Sequence, residues 1–406
     1  MNSTTVQQQS VGTVGIDAIA IAVPDSYVEL AELAIARGVA PAKYLDGLGV
    51  SRMAVPRPHE DPVALAANAA RRLFEVAGVN RGEIGLCIVG TETAVDHSKP
   101  IAAYLHGLLE LPTSCRVFET KHACFGGTAG LLSALDWIVS GSARGRSALV
   151  VCTDIARYAL HSAGEPTQGA GAVALLVSER PRLLTIDPRV TGSYARDVSD
   201  FWRPLDRRDA IVDGPRSVQC YLDALAGAYA DHHAQRAHLG SDADAVVRRC
   251  YHVPYGKMAK KAHRHIAAIR GLSEAEADLS YTQEVASSLH FPAQVGNVYT
   301  GSLYFALASM LASDASAIEG EEVGLFSYGS GSCAEAFTGR VQAGAGAFVE
   351  RLALGAPLDG RTPLTIAEYE AIRAADSSAD RTHHRRAVLR GPVAFLGIDD
   401  ERRTYG

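Results

Sequence analysis

Residues 120–130 read TKHACFGGTAG and join a short apolar segment, RVFE at 116–119, to LLSALDWIV at 131–139, whose apolar residues recur at helical spacing. This pattern predicts a loop that opens directly into a helix, with Cys124 at the junction. Helix N-termini have unpaired N–H groups and partial positive charge, so we expect a lowered pKa for the Cys124 thiol and a nucleophilic role. Gly126 and Gly127 would let a substrate or another backbone approach closely. The alternative is an inert cysteine packed among small residues, which is common for free cysteines.

Apolar runs around this stretch predict buried strands at 14–24, 84–91, 147–154 and 169–177. Helices are predicted at 27–37, at 62–77 with Asp61 as N-cap, and at 100–109. Near Pro181 the alternation begins again, with strands at 183–186, 250–254, 323–328 and 393–396 and helices at 217–233, 243–249, 258–270 and 303–312. Residues 334–338 are expected to continue the strand at 323–328. The repetition indicates an α/β fold with two similar halves.

The predicted elements divide the chain into three parts. Residues 1–13 form a flexible N-terminal tail without the basic and apolar regions of a signal peptide. Residues 14–181 form a half that contains Glu92 and Cys124, and residues 182–406 form a half that contains His252 and Asn297. Residues 356–386 are polar and predict a surface helix and loop.

Composition narrows the class of protein. The chain has 406 residues, 47% of them hydrophobic and 21% charged, which is typical of a globular protein with a large core. A net charge of −6 without a basic stripe argues against nucleic acid as a partner. The sequence contains no run of 18 apolar residues, so we expect no membrane-spanning helix. Seven cysteines, an odd number in a long chain, predict a reducing compartment, and we expect the cytoplasm.

Polar or reactive side chains follow several predicted strands. They are Glu92, Cys124, His252, Asn297 and Ser330. Ligand sites in α/β folds favour strand ends, although each residue alone could be a helix cap, a turn residue or a packed histidine. Together they supply a thiol, a carboxylate, an imidazole and hydrogen-bond donors. No zinc-ligand spacing and no phosphate-binding loop is present, so we expect no metal and no nucleotide cofactor.

The ordered motifs resemble those of the 3-hydroxy-3-methylglutaryl-coenzyme A (HMG-CoA) synthase family of the thiolase-like superfamily. The resemblance covers roughly residues 14–340 and weakens in the last sixth of the chain. The motifs are GTETAVD (90–96), ACFGGTA (123–129), TDIARY (153–158), GEPTQGAGAVA (164–174), DFWRP (200–204), VDG (212–214), YHVPYGKM (251–258), GNVYTGS (296–302) and FSYGSG (326–331). The resemblance implies a thiolase-like fold, in which two α/β halves form αβαβα layers.

The resemblance also implies a reaction and the residues that perform it. Cys124 would take the acetyl group of acetyl-CoA as a thioester, and Glu92 would remove a methyl proton so that the acetyl group attacks acetoacetyl-CoA. His252 would contact the acetoacetyl thioester, and water would release HMG-CoA, the mevalonate-pathway product. The family's other substrate contacts fall on Tyr158, Thr167, Ser217, Asn297 and Ser330.

Coenzyme A would be held by a basic helix. Lys257 and Lys261 match family positions that meet its phosphates, and they lie in a basic segment, 257–265, beside His252. A basic patch beside a thioester site suits a phosphorylated carrier. The alternative is that these residues form a solvent-exposed helix face without a binding role. No cofactor beyond the coenzyme A thioester substrates is implied.

Three other functions remain open from the sequence. A second branch of the family acts on β-ketoacyl groups on acyl carrier protein and installs β-branches in polyketides, and it shares Glu92, Cys124 and His252. A ketoacyl synthase would use Cys124, His252 and Asn297 but would need no base at Glu92. A non-catalytic scaffold would need none of these residues. Thiolase-like proteins usually form homodimers, so the resemblance implies a homodimer here.

Overall fold

The computed structural model describes residues 13–207, 209–242, 244–377 and 391–406. The strands are β1 (Gly15–Ala22), β2 (Ser26–Glu29), β3 (Arg52–Ala54), β4 (Ile84–Gly90), β5 (Arg116–Thr120), β6 (Ser147–Ala156), β7 (Gly169–Ser178), β8 (Leu184–Ala195), β9 (Phe201–Trp202), β10 (Ile211–Val212), β11 (Arg248–Tyr251), β12 (Glu322–Gly329), β13 (Cys333–Val341), β14 (Thr362–Pro363), β15 (Phe395–Asp399) and β16 (Arg402–Tyr405). The helices are α1 (Leu30–Ala36), α2 (Ala42–Leu48), α3 (Pro62–Ala77), α4 (Ile101–Leu108), α5 (Gly126–Val139), α6 (Gly214–His238), α7 (Gly256–Ile269), α8 (Glu274–Glu284), α9 (His290–Val295), α10 (Ser302–Asp314), α11 (Ala345–Leu352) and α12 (Ile366–Ser377).

The central sheet contains nine strands in the order β11-β12-β13-β8-β1-β7-β6-β4-β5. In the first half, β4 pairs in parallel with β5 and β6, whereas β6–β7 and β7–β1 are antiparallel. In the second half, β11–β12 is parallel, and β12–β13 and β13–β8 are antiparallel. Both halves therefore place parallel strands outside and antiparallel strands near the β1–β8 junction, which confirms the predicted α/β fold with two similar halves.

Helices cover both faces of the sheet. Successive side chains of a strand point to opposite faces, and on β6 the Thr153 hydroxyl donates to Pro62 of α3, whereas Cys152 touches Gly127 of α5. Helices α3 and α5 therefore lie on opposite faces. The Thr128 hydroxyl of α5 is 2.8 Å from the Tyr304 hydroxyl of α10, so these two helices pack together in the interior. Helix α6 contacts β8, β12 and β13 from outside, which completes the alternating layers.

Asp61 is the N-cap of α3, as predicted. Its Oδ1 accepts a hydrogen bond of 2.8 Å from the Ala64 backbone N–H. Its Oδ2 accepts from Arg403 at 2.6 Å and from the Tyr405 hydroxyl at 2.8 Å, so it also anchors β16. The last strand predicted at 393–396 is in fact a hairpin of β15 and β16.

Three sequence-based predictions of secondary structure are wrong. Residues 27–37 begin as strand β2, because Tyr27 and Val28 pair with β3, and the helix begins at Leu30. Residues 248 and 249, predicted as the end of a helix, belong to β11 together with 250 and 251, because pairing with β12 overrides the helical preference. Residues 334–338 do not continue β12 but return beside it as β13, because the chain reverses at 330–332.

Among the described helices, none combines the length and apolar character that crossing a membrane requires.

Candidate active site

Cys124 lies in a tight turn between β5 and α5. The backbone N–H of Phe125 donates to the His122 carbonyl at 2.9 Å, and Ala123 has a φ of +40°. Two residues later the chain enters α5. Glu92 follows β4, the parallel neighbour of β5, and Gly90 pairs with Thr120 at the end of both strands. The ends of these two strands thus bring a thiol and a carboxylate to the same edge of the sheet.

The Cys124 thiol donates a hydrogen bond of 3.0 Å to Glu92 Oε1. The Glu92 backbone is held on both sides, because its N–H donates to Asp154 Oδ1 at 2.8 Å and its carbonyl accepts from the Arg203 guanidinium. A fixed backbone leaves the carboxylate little freedom except rotation within the site. The two predicted reactive groups are therefore in direct contact.

Electrostatics favour the protonated forms of both groups. Burial and the charge of Asp154 raise the pKa of Glu92 to about 8, although the thiol hydrogen bond and Arg203 oppose the shift. Burial and the neighbouring Glu92 raise the pKa of the Cys124 thiol well above its ordinary value. The sequence-based prediction of a lowered thiol pKa is wrong, because burial and a carboxylate outweigh the partial charge of a helix terminus. The nucleophile therefore needs a proton acceptor when it reacts.

Asp154, which the sequence analysis did not single out, organises this edge of the sheet. It is fully buried and accepts hydrogen bonds from Thr91, the Glu92 N–H and Thr93 on one oxygen, and from the N–H and hydroxyl of Thr300 on the other. Burial raises its pKa to about 6, although these donors oppose the shift. The sequence feature that could have identified Asp154 is an acidic residue near the end of a predicted buried strand, β6.

Tyr158, Thr167 and Asn297 form a cluster, in which the Asn297 N–H donates to the Thr167 carbonyl at 3.3 Å. The side chain of Tyr158 contacts those of Tyr299 and Thr167, and burial raises the pKa of its hydroxyl, with a further contribution from Glu92. The buried Asn297 accepts from the Tyr299 N–H at 2.9 Å through Oδ1, so its oxygen is used within its own turn. Tyr299, with a φ of +41°, is a site residue that the sequence analysis missed, although its motif was recognised.

His252, Ser217 and Ser330 belong to the second half of the chain. His252 follows β11, is 3% exposed and stacks on Tyr221, whose hydroxyl donates to the His252 carbonyl. Burial lowers the pKa of His252 to about 3, so the imidazole is neutral. Ser217 donates to the buried Asp200 at 3.4 Å. Ser330 follows Gly329, which is packed so tightly against the Cys124 turn that a Cβ there would lie 2.6 Å from the Phe125 nitrogen.

The predicted basic segment is only partly a surface patch. Lys257 and Lys261 are exposed on α7, and Lys261 Nζ lies 3.4 Å from the Tyr255 hydroxyl. Lys260 and Arg264 are paired with Asp278. His263 is fully buried between Tyr251 and Ser280, so it contributes no surface charge. The exposed cations of the predicted basic segment therefore do not include His263.

Comparison with known proteins identifies the family. A model described as the hydroxymethylglutaryl-coenzyme A synthase N-terminal domain matches residues 10–181, and the C-terminal model matches 184–269 and 268–387. A hydroxymethylglutaryl-CoA synthase of Enterococcus faecalis is 42% identical over 375 residues, which are 91% of this chain and 94% of the relative. The chain belongs to the hydroxymethylglutaryl-CoA synthase family. The predicted family and the prediction of an acyl-condensing enzyme are thereby confirmed.

Both branches of this hydroxymethylglutaryl-CoA synthase family are similar to the chain. The structure of MvaS in complex with 3-hydroxy-3-methylglutaryl coenzyme A matches with a TM-score of 0.91 and 47% sequence identity. The structure of the curacin pathway HMG synthase in complex with holo donor-ACP matches with a TM-score of 0.90 and 32% sequence identity. Each alignment covers 97% of this chain and 99% of the other. A polyketide biosynthesis 3-hydroxy-3-methylglutaryl-ACP synthase of Bacillus subtilis is 32% identical over 369 residues, 88% of this chain and 87% of the relative. Backbone similarity alone does not separate the branches, whereas sequence identity is higher to the Enterococcus synthase and to MvaS than to the two carrier-protein enzymes.

Within the described residues, one group of side chains has the spacing of metal ligands. It consists of Asp25, His59 and Glu60, whose candidate ligand atoms lie within 4.8 Å of one another. Both Glu60 oxygens already accept backbone hydrogen bonds, from Asp25 and Arg57. The group therefore gives no support to a metal site, and the absence of a metal from the reaction stays a prediction.

Proposed function

We propose that the protein condenses acetyl-CoA with acetoacetyl-CoA and water to give HMG-CoA and free coenzyme A. The observation on which this rests is the 3.0 Å hydrogen bond from the Cys124 thiol to Glu92, in a chain of this family. It joins a nucleophile to a base of raised pKa, which is what successive acyl transfer and proton abstraction require.

Acetyl transfer is the first proposed step. Cys124 Sγ attacks the thioester carbonyl of acetyl-CoA while its proton passes to Glu92 Oε1. The carbon–sulfur bond to coenzyme A then breaks, and the departing sulfur takes the proton from Glu92. The products are acetyl-Cys124 and neutral coenzyme A thiol, and Glu92 is again a carboxylate. A raised carboxyl pKa favours both proton transfers, because it brings the pKa of the relay nearer to that of a thiol.

Condensation and hydrolysis follow at the same sulfur. The Glu92 carboxylate removes a proton from the acetyl methyl, and the resulting enolate attacks the ketone carbon of acetoacetyl-CoA. The new alkoxide takes the proton that Glu92 removed from the methyl group, which restores the Glu92 carboxylate, and water then cleaves the thioester to release HMG-CoA and regenerate the Cys124 thiol. We assign His252, as a neutral imidazole, to a hydrogen bond with the acceptor thioester, because burial prevents it from becoming charged.

The remaining assignments concern binding. Tyr158 and Thr167 lie beside the acyl group, and Asn297, Ser330 and Ser217 are assigned to the acceptor. Lys257 and Lys261 are exposed at the start of α7 and would pair with coenzyme A phosphates. The competing acceptor is acetoacetyl-acyl carrier protein, which the similarity to the curacin enzyme keeps as a second candidate.

We also propose a homodimer in the cytoplasm. Strand β5 is an edge of the nine-stranded sheet, and within the described ranges β4 is its one strand partner. An edge strand of this kind can pair with a second copy of the chain. All seven cysteines are free, which suits a reducing compartment. Light scattering would measure the mass of the assembly and so test the homodimer. Localisation of a tagged chain in cells would test the cytoplasmic location.

An intact-mass and product assay tests the reaction. Protein is mixed with acetyl-CoA and then with acetoacetyl-CoA or acetoacetyl-acyl carrier protein. We expect a gain of one acetyl group and HMG-CoA as the product. Cys124→Ala should show no adduct, and Glu92→Gln should form the adduct far more slowly than wild type, because the thiol loses its proton acceptor, and should give no HMG-CoA. Product from the carrier protein alone would move the protein to the second branch, and an unacetylated wild type would refute the nucleophile.

A further inference from the structure

Helix α12 belongs to the part of the chain where sequence motifs gave no role. It packs against α1 and directs polar side chains toward the segment 158–168, which contains Tyr158 and Thr167. Tyr369 of this helix is 1% exposed, and the side chain of Arg373 is 13% exposed. Long polar side chains are rarely so buried without a specific partner. Both side chains form hydrogen bonds to residues of that segment.

Arg373 fixes the backbone of Tyr158 from both ends. One of its guanidinium nitrogens donates to the Tyr158 carbonyl at 3.0 Å, and the other donates to Gln168 Oε1. The same Gln168 oxygen accepts from the Tyr158 N–H at 2.9 Å. Arg373 also lies 3.8 Å from Asp209, in the loop between β9 and β10. The planar fork of arginine presents two separate nitrogens to two acceptors, whereas a lysine has a single nitrogen and no such fork.

A second set of contacts keeps Gln168 in place. Its Nε2 donates to the Tyr369 hydroxyl at 2.9 Å and to the Glu165 carbonyl at 3.1 Å. The Tyr369 hydroxyl in turn donates to the Glu165 carboxylate, which forms an ion pair of 2.8 Å with Arg37. Glu165 is 1% exposed, so this network is shielded from water. Buried polar networks in which the members satisfy one another are rigid.

The immobilised segment presents its side chains to the reacting groups. The Tyr158 ring packs so closely on Gly164 that a Cβ there would lie 2.7 Å from it. The Thr167 hydroxyl donates to the Gly164 carbonyl at 2.8 Å, and the Tyr158 side chain contacts that of Thr167. The Tyr158 ring also packs edge-on against Phe201, two residues before the Arg203 that donates to the Glu92 carbonyl. A shift of the Tyr158 backbone would therefore move the wall of the site beside the acetyl group.

We propose that Arg373 is a positioning residue for the condensation, which holds Tyr158 and, through Gln168, Thr167 against the acyl group. The inference rests on the proposed function, because it assigns α12 a part in the same reaction. Arg373 touches no substrate; it acts through the two residues that it holds. Misplacing a site wall by about 1 Å can cost on the order of 100-fold in rate.

The test compares Arg373→Met with a control variant on the same helix. Glu368→Ala removes the exposed capping box in which Glu368 accepts from the Thr365 N–H and hydroxyl, each at 2.8 Å. This change weakens α12 without touching residues 158–168. Steady-state kinetics are measured for both variants and for Arg373→Lys, together with melting temperatures and the rate of Cys124 acetylation. Wild-type turnover of acetyl-CoA and acetoacetyl-CoA is established first, so that failure of the proposed function is seen separately.

We expect Arg373→Met to lower kcat about 10-fold to 100-fold with the KM for acetyl-CoA within about twofold of wild type, because Lys257 and Lys261 are untouched. Arg373→Lys should fall between, since it keeps one of two hydrogen bonds. Glu368→Ala should melt a few degrees lower with kcat near wild type. A kcat for Arg373→Met within twofold of wild type, or an equal loss in Glu368→Ala, would overturn the proposal. If Arg373→Met does not fold, Arg373→Lys decides: a folded variant with at least a fivefold lower kcat supports positioning, and a smaller loss refutes it.

Discussion

The raised pKa of Glu92 makes condensation strongly pH-dependent in a range where an ordinary carboxylate would not respond. Burial and the charge of Asp154 raise this pKa to about 8. The base that removes a methyl proton is the ionised form, so the rate follows the ionised fraction. With a pKa of about 8 that fraction is about 3% at pH 6.5 and about 50% at pH 8. The rate should therefore rise about 15-fold to 30-fold between them, because the acetyl-enzyme lacks the thiol hydrogen bond that lowers this pKa. A carboxyl group with the ordinary pKa of 4.5 would be ionised throughout, and the rate would be flat.

The assay begins from the acetyl-enzyme. Cys124 is then a thioester and does not titrate, and His252 is neutral because burial lowers its pKa to about 3. Burial raises the pKa of Asp154 to about 6, so this carboxylate is mostly ionised above pH 6.5. Acetyl-enzyme is mixed with saturating acetoacetyl-CoA in a quenched-flow instrument, and HMG-CoA is measured in a single turnover. Deuterium in the acetyl methyl identifies proton removal as the slow step.

Removing one neighbouring charge tests the predicted direction of the Glu92 pKa shift. The positive charge of Arg203 lowers the pKa of Glu92, so Arg203→Met should move the midpoint of the rate profile to higher pH. A flat wild-type profile between pH 6.5 and 8, with a full deuterium isotope effect, would refute the reasoning. A midpoint that moved to lower pH in Arg203→Met would do the same.

Three further outcomes are expected. Changing Lys257 or Lys261 to Ala should raise the KM for acetyl-CoA about fivefold to tenfold at low salt and leave kcat unchanged, as steady-state kinetics would show. Asp61→Ala should lower the free energy of unfolding, measured by urea titration, by about 3 kcal/mol. The lost helix cap accounts for about 1 kcal/mol, and the unpaired Arg403 and Tyr405 side chains account for about 2 kcal/mol. The ring of His252 should show no titration between pH 5 and 8 by NMR, because burial keeps it neutral.

Much of the sheet could be predicted because its central strands are buried on both faces. Such strands need apolar residues at every position, and 84–90 and 169–178 have nearly continuous apolar runs. The strand at 248–251 was only half predicted, because its first two residues, both arginines, have no strand pattern of their own and were assigned to a helix. Its conformation comes from pairing with β12, about 75 residues later in the chain. Local pattern cannot reveal a strand that exists because of a distant partner.

The meeting of Glu92 and Cys124 could be predicted in outline, since each follows a strand of a parallel sheet. The residues that hold Glu92 and the neighbouring Tyr158 in place could not be predicted in the same way. Arg203 reaches the Glu92 carbonyl from more than 100 residues away in sequence, and Arg373 reaches Tyr158 from more than 200. Asp154 stood inside a recognised motif, yet its role depends on three chain segments that converge on one carboxylate. Long-range hydrogen bonds of this kind leave no periodic signal in the sequence.

The protonated state of Cys124 also bears on how the resting protein survives oxidants. Peroxides and alkylating reagents attack thiolates far faster than thiols. Burial and the adjacent carboxylate keep this sulfur as a thiol at neutral pH, so a diffusing oxidant meets an unreactive group. A thioester substrate differs, because it brings an electrophilic carbon to a sulfur whose proton already points at Glu92. The same hydrogen bond that prepares the nucleophile for its substrate thus protects it from sulfenic acid formation while the site is empty.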